Sequence, residues 1–549
     1  MKHFTYKLIQ TTLLTSGLFL LSACGAGGGS GDTQAPVADT FTPDDGMVNV
    51  SLDTTISAVF DESMIDLSIA EDSFFLRAAN GTEVNATVVY DGTNDTVTLT
   101  PKKPLSLLTH YTATLTNDNL DLAGNALAET SWDFQTRDGI WQGVNNVESN
   151  GGSALSPQIT MDAEGNAIAI WTQNVNRYRD VWVSHYSATT ESWGEEIFIG
   201  APTKNAHTPH VAMNASGDAF AIWMQEDIGG DNSIWVNHFS NGHWGDAIRI
   251  EDSVEDARDP HISINTTGNA MAVWRQKDGV NMNIYARFFS DNQWGEIILL
   301  EHGHAGNAFR PRVSLSENNA AIVVWVQKDN TDHLSIYTNR FNGEHWMLFD
   351  AQLLEHNEGD AFSPEIATDS NGNALVVWHQ SSGMYLKIHA NYYDASLDSW
   401  NVEKKLENSD NHALMPQVSF DASGNAIVVW QQFDGRDSSI YMNRFTSSGW
   451  GRRLPVEFST GAASSPQISV DASGNAIAVW HHFVDDTFYT VYSRYTLETE
   501  TWGAIHRLEE EHTGHASSTR IAMNASGKAI AIWEKDDGRN QSIKANIFR

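Results

Sequence analysis

"DASGNAIVVW" occupies residues 421–430, and "DASGNAIAVW" occupies 471–480. Ten residues recur with a single change, and looser versions of the phrase occur six more times. Aligned on the closing tryptophan they give Trp171, Trp223, Trp274, Trp325, Trp378, Trp430, Trp480 and Trp533, at intervals of 50 to 53 residues. A second series keeps nearly the same period: Trp141, Trp193, Trp244, Trp294, Trp346, Trp400, Trp450 and Trp502. The two series hold 16 of the 19 tryptophans, so the repeat places the indoles. A near-constant period of this size marks a solenoid, a propeller or an array.

One unit resolves into four strands. "PQVSFD" (416–421) alternates apolar and polar residues. "ASG" (422–424) is a tight connection with Gly424 where a positive φ is needed. "NAIVVWQQ" (425–432) is apolar on both alternating faces, as a strand covered from both sides must be. "SIYMNRF" (439–445) is the third strand and "WGRRLPVE" (450–457) the fourth. Four antiparallel strands in about fifty residues predict a propeller blade.

The first three strands occur eight times, and the fourth follows each of the first seven. The chain stops at "SIKANIFR" (542–549), a third strand, while "GIWQGVNNVE" (139–148) reads as a fourth strand placed before the first unit. The sequence therefore predicts an eight-bladed β-propeller over 138–549, closed by an N-terminal outer strand that removes the open edges. The repeated phrase becomes the first hairpin of each blade. Its Trp packs between blades, and its Asp and Gly serve the turn in preference to a calcium loop. Unit four supports this: "SENNA" (316–320) lacks the Asp and sets Asn319 in the glycine position. The hairpin at 466–476, P-x-I-x-V-D-x-x-G-N-A, resembles the NHL-repeat propellers. Here the unit is longer, and Trp replaces the acidic residue usual after the second strand. The S-x-D-x-G-x-T-W order of the sialidase Asp-box is absent.

Ahead of the repeats, 36–137 carries short alternating strands: "TTISAVF" (54–60), "ATVVYD" (86–91), "DTVTLTP" (95–101) and "HYTATLT" (110–116). They predict a β-sandwich, so the whole chain is all-β. "TPDDGMVNV" (42–50), "VFDESMI" (59–65), "DLAGNAL" (121–127) and "WDFQT" (132–136) are similar to the bacterial Ig-like domain of surface proteins, which implies a spacer or adhesion module. Asp61, Glu62 and Asp121 are calcium-type ligands by chemistry, but solvated loop carboxylates are the favoured reading.

The N-terminus reads as a targeting segment over 1–23. Lys2 and Lys7 precede an apolar run that closes on "LSAC" (21–24). Cys24 is the chain's one cysteine, and "LSAC" resembles the bacterial lipobox, which implies a lipidated Cys24 as mature N-terminus. Gly25 in place of Asp then implies outer-membrane sorting. Residues 24–35 form a Gly-rich tether with a reach of about 20 Å. Lys+Arg total 33 against 69 Asp+Glu, and the net charge of -36 argues against nucleic acid as partner. The membrane is expected to be engaged through the lipid alone, by a monomer.

Function is expected on the face with the longer, varied loops: 251–260, 301–311 and 407–416. Two rings point there. One leaves the second strand: Gln173, Gln225, Gln276, Gln327, Gln380, Gln432, His482 and Lys535. Its uniformity suits hydrogen bonding between blades. The other follows the proline of the first strand (Thr519 in the last unit): Gln158, His210, His261, Arg312, Glu365, Gln417, Gln467 and Arg520. Its varied charge suits either a polar channel mouth or one composite ligand site. "EHGH" (301–304), "EHNE" (355–358) and "EHTGH" (511–515) match no metal-ligand spacing and read as solvated loop residues. Nothing reads as a nucleophile with its base, a P-loop or a dinucleotide fingerprint. No catalytic residue, metal or cofactor is expected. The expectation is a lipid-anchored surface protein that binds an extracellular glycan or protein. The alternatives are a propeller glycosidase or polysaccharide lyase, and a structural or assembly lipoprotein of the envelope.

Overall fold

The computed structural model describes residues 32–549 apart from 150, 176, 202–203, 302–305, 330–331, 348–350, 357–358, 510–513 and 537. The expected targeting segment, Cys24 and the expected tether up to residue 31 lie outside the described residues. Among the described residues the one helical element is a single 3-10 turn, Asp66–Ser68, and no helix is long and apolar enough to cross a membrane.

The N-terminal region is two four-stranded sheets. One runs Ala38–Thr42, Ile56–Phe60, Thr96–Pro101, Ala86–Asp91; the other runs Met47–Val50, Thr130–Thr136, His110–Leu115, Phe74–Ala78. Alternation aims one side of each strand inward, and both sheets contribute to one core around Trp132, Phe74 and Phe134. Phe41 stacks on Trp132 with ring centroids 4.5 Å apart.

Eight further sheets follow in chain order. In unit six, Ala413–Phe420 pairs with Ala426–Phe433, which pairs with Ser438–Thr446, all antiparallel. The second strand is buried on both faces, and all eight Trp of the repeated phrase are fully buried. Each unit's first strand packs against the first strand of the next unit, and that of unit eight (Ala516–Met523) packs against that of unit one (Ala154–Met161). One apolar cluster joins Ala167, Ala169 and Trp171 to Ile530, Ile532 and Ile543. Trp141–Asn146 pairs with Gln541–Phe548 as the fourth strand of the last sheet.

The repeated phrase forms a side-chain-tied turn. Asp421 Oδ1 accepts the backbone N–H of Ser423 and Asn425, its Oδ2 accepts Asn425 Nδ2, and Gly424 has φ +78°. Asn373, Asn166 and Asn475 each accept, through Oδ1, the N–H that opens the turn after the third strand. In unit four Asn319 takes φ +66°, the positive value its place in the phrase requires. Two expectations need correcting. The first strand begins three residues before the proline, because the chain bulges there instead of starting there. The fourth strand is broken in most units; in unit six it is Gly449–Trp450 and Leu454–Pro455, with 451–453 outside the ladder.

The Ig-like region is docked rather than held on a free spacer. Leu107 N–H donates to Ser526 O at 2.9 Å, Lys103 pairs with Glu164 at 2.8 Å, and Gln135 donates to Glu498 at 2.9 Å. Leu52 and Leu107 are buried in a cluster with Ala529, Ala531 and Trp533. These partners lie at the hairpin end of units one, seven and eight. The opposite end, with the varied loops, carries none of these contacts.

Candidate functional site

Every first strand carries a bulge just ahead of its proline position. The residues there are Ser156, Thr208, Asp259, Arg310, Ser363, Met415, Ser465 and Ser518, with φ between +46° and +56°. None is glycine, and Thr208 is β-branched, so each holds backbone strain that its sheet must maintain. A bulge re-aims the side chains that follow it. The sequence signal was the proline inside a strand pattern, which is tolerated at bulges and edges.

The residues aimed by these bulges are the expected ring, half-buried on the inner edge of the first strands. The structure brings five of them into one electrostatic group. Arg312 Nε lies 3.2 and 3.1 Å from the two carboxylate oxygens of Glu365. His210 and His261 stack with centroids 4.1 Å apart. Arg520, from the last unit, donates to Gln158 Oε1 at 3.2 Å and to Thr519 O at 2.9 Å. Burial pulls the Arg520 guanidinium below its usual value, with Glu365 opposing and Arg312 adding to that pull. Burial, then the charges of Arg312 and Arg520, take His210 down to about 3. His261 is held well below the usual histidine range by burial, His210 and Arg312. Both imidazoles are therefore neutral at pH 7. Gln467 turns back to Pro466 O at 3.0 Å, and among the described residues no hydrogen bond joins Gln417 to the charged group.

The Gln ring is structural. Gln173, Gln225, Gln276, Gln327, Gln380 and Gln432 are buried, and each accepts the indole N–H of the Trp two residues earlier at 2.8 to 3.0 Å. Their amide groups reach the inter-unit loops, as Gln225 does to Ala201 O and Gln327 to Gly306 O.

Sequence reasoning missed a third ring. Glu148, Glu251, Glu301, Glu355, Glu407, Glu457 and Glu509 each stand two residues beyond a fourth strand and are all buried. Glu301 and Glu355 were expected in solvent; instead Glu301 accepts the N–H of Ile284 through both oxygens, at 2.8 and 3.1 Å, and Glu355 accepts Gln380 Nε2 at 3.0 Å. Burial pushes Glu301 up to about 8. The signal was an apolar residue followed by Glu at the repeat period. The remainder of the three His-and-Glu stretches at 302–304, 357–358 and 511–513 lies outside the described residues. Among the described residues the donor set that converges for a cation is Asp32, Glu62 and Asp121, with oxygens within 4.8 Å of one another. Asp61 instead accepts Val37 N–H at 2.8 Å.

Comparison with known proteins reaches the N-terminal region first. Residues 32–136 match the bacterial Ig-like domain family. No curated protein matches the chain. Among solved structures, the chain is similar to a protein of unknown function from Dyadobacter fermentans, at 9% identity and TM-score 0.35 over 74% of this chain and 99% of that one. It is similar to an ulvan lyase, at 10% identity and TM-score 0.42 over 64% and 98%. It is also similar to the intramolecular trans-sialidase from Ruminococcus gnavus, at 11% identity and TM-score 0.33 over 73% and 95%. All three are distant from this chain.

Proposed function

We propose that the eight sheets close into one eight-bladed propeller over 138–549, that Cys24 anchors it by lipid at the outer membrane, and that it binds a glycan. What carries the reading is the grouping of Arg312, Glu365, Arg520, His210 and His261 midway along the first strands, clear of the hairpin turns that hold the Ig-like domain. The pairing of Trp141–Asn146 with Gln541–Phe548, and the packing of the first unit on the last, support closure. A bacterial Ig-like domain supports display outside the cell.

Recognition is favoured over catalysis by two features. A general base works best with a pKa near the working pH, and His210 is far below it. Glycosidases use two carboxylates, and the ring holds one, already paired with Arg312. Among the described residues no carboxylate lies within ion-pair distance of Arg520, whose planar guanidinium suits an acidic or hydroxyl-rich ligand. The test is a glycan array with residues 32–549, followed by titration of the best ligand. Arg520→Gln should weaken binding at least tenfold, while exchanging the turns of units five and six should leave it unchanged. Binding that survives Arg520→Gln, or follows the turn exchange, would place the site elsewhere. An array without any ligand would end the glycan reading.

A further inference from the structure

A second site lies outside the ring. Between the outer strands of units five and six is a cleft of about 780 Å³, within the range of ligand pockets. Its rim carries Lys404, Lys405, Arg452 and Arg453, all exposed. None of the four forms an ion pair among the described residues, and Arg453 instead sits 4.8 Å over the ring of Tyr441. This is unusual in a chain with 69 acidic residues against 33 basic ones.

The repeat supplies an internal comparison. After the outer tryptophan, unit one reads W-G-E-E (193–196), unit two W-G-D-A (244–247) and unit three W-G-E-I (294–297). Unit six reads W-G-R-R (450–453). The charge has been inverted at the same place, beside a unit whose own outer strand, Lys404–Lys405, is basic.

The cleft also has a structural origin. Asn237, Asn339, Asn391 and Asn546 each donate through Nδ2 to a carbonyl of the preceding unit, at 2.9 to 3.4 Å. Asn443, the corresponding residue at this junction, is buried on the cleft floor without such a bond among the described residues, and its Oδ1, like those of Asn237 and Asn391, has no partner there. The walls are aromatic. Tyr392 of unit five meets Phe445 of unit six at 4.7 Å, and Phe445 meets Trp450 at 5.1 Å, all three half-buried.

We infer that this cleft binds an acidic polysaccharide, one bearing carboxylate or sulfate groups along its chain. A polyanion nearing a protein of net charge -36 is repelled by most of its surface, so an unpaired basic rim focuses its approach. Half-exposed aromatic faces offer sugar rings an apolar contact, and the unpaired amide of Asn443 offers a hydroxyl partner. The site is distinct from the ring near Arg520: the ring lies on the first strands, the cleft on the third and fourth strands of units five and six, and they share no residue.

The experiment is affinity electrophoresis and titration of residues 32–549 with polygalacturonate, dextran sulfate and neutral dextran. At least one acidic polymer should bind, and neutral dextran should not. The fourfold variant Lys404→Ala, Lys405→Ala, Arg452→Ala, Arg453→Ala should lose at least tenfold in affinity with an unchanged melting temperature, since all four side chains are exposed. Arg520→Gln should bind these polymers like the wild type, so failure of this site and failure of the ring are read separately. Preference between polygalacturonate and dextran sulfate identifies carboxylate or sulfate as the anion. Absence of binding to both, equal binding by the fourfold variant, or tighter binding of poly-glutamate than of either polysaccharide would overturn the proposal, the last in favour of an acidic protein segment.

Discussion

The indole N–H of Trp378 donates to Oε1 of Gln380, two residues along the same strand, at 2.9 Å. Both side chains are fully buried, and the same pair recurs in units one to six. In units seven and eight His482 and Lys535 stand in the Gln position, and the indole nitrogens of Trp480 and Trp533 have no acceptor among the described residues. A buried donor without a partner costs roughly 1–3 kcal/mol. Gln380→Leu should therefore destabilise the protein by about that much, because it orphans Trp378 Nε1. His482→Gln should do the reverse and raise the melting temperature, because it gives Trp480 the acceptor the other units have. Thermal unfolding of the two variants checks both signs. A lower melting temperature for His482→Gln would mean that its bond to Thr460 O, at 3.1 Å, outweighs the missing indole bond.

Buried ionisable groups set opposite pH limbs. Glu301 titrates near 8 when folded, against a usual value of 4.5. Between those values the unfolded chain holds fewer protons than the folded one, so stability falls as pH rises. Asp471, pushed up to about 6 by burial, acts with the same sign over a narrower window. His210 acts the other way: its folded value is about 3 against 6.5, so between those values stability falls as pH falls. Glu301→Gln should flatten the loss of melting temperature from pH 6.5 to 8.5. His210→Gln should flatten the loss from pH 6 to 4. Unchanged slopes in both variants would show that these groups are hydrated in the folded protein.

The strands and turns were legible in the sequence because they repeat. A residue such as Asn319 can be read only because seven other units show glycine or its equivalent at that place. The charged group around Arg312, Glu365 and Arg520 was legible as a set of positions, since each follows by one residue the proline of its unit, or Thr519 in the last. Its pairing was not, because Arg312 meets Glu365 across 53 residues of sequence. The buried glutamates were misread from composition: Glu301 stands beside histidines in a polar loop sequence, yet the N–H of Ile284 and the fourth strand draw it inside. The docking of the Ig-like domain had no sequence signal either, since Leu52 and Leu107 look like ordinary residues of the sandwich until their shared cluster with Trp533 is seen.

The seam between the two ends of the repeat region provides the last prediction. Trp141–Asn146 hydrogen-bonds along Gln541–Phe548, and Ile140 and Arg549 exchange backbone bonds at 3.0 and 3.2 Å. Trp141 packs on Tyr492 and Phe548 with centroids 5.2 and 5.3 Å apart. A Cβ on Gly139 would lie 2.5 Å from the Phe548 ring, so only glycine lets the chain pass there without displacing a buried side chain. A chain beginning at Ser149 lacks the strand and leaves Gln541–Phe548 as an unpaired edge, a template for association. Loss of the Trp141 side chain adds about 3 kcal/mol, at the low end for a large aromatic because it is half-buried. The chain beginning at Ser149 should therefore melt well below one beginning at Arg137, and should aggregate. Both lack the Ig-like domain and expose the surface around Trp533 equally, so their difference isolates the strand, and both should melt below residues 32–549. Gly139→Ala in the longer chain should cost roughly 1–3 kcal/mol by overpacking against Phe548. Scanning calorimetry with light scattering reads all of these. Equal melting temperatures for the chains beginning at Ser149 and Arg137 would show that the last unit does not depend on the N-terminal strand.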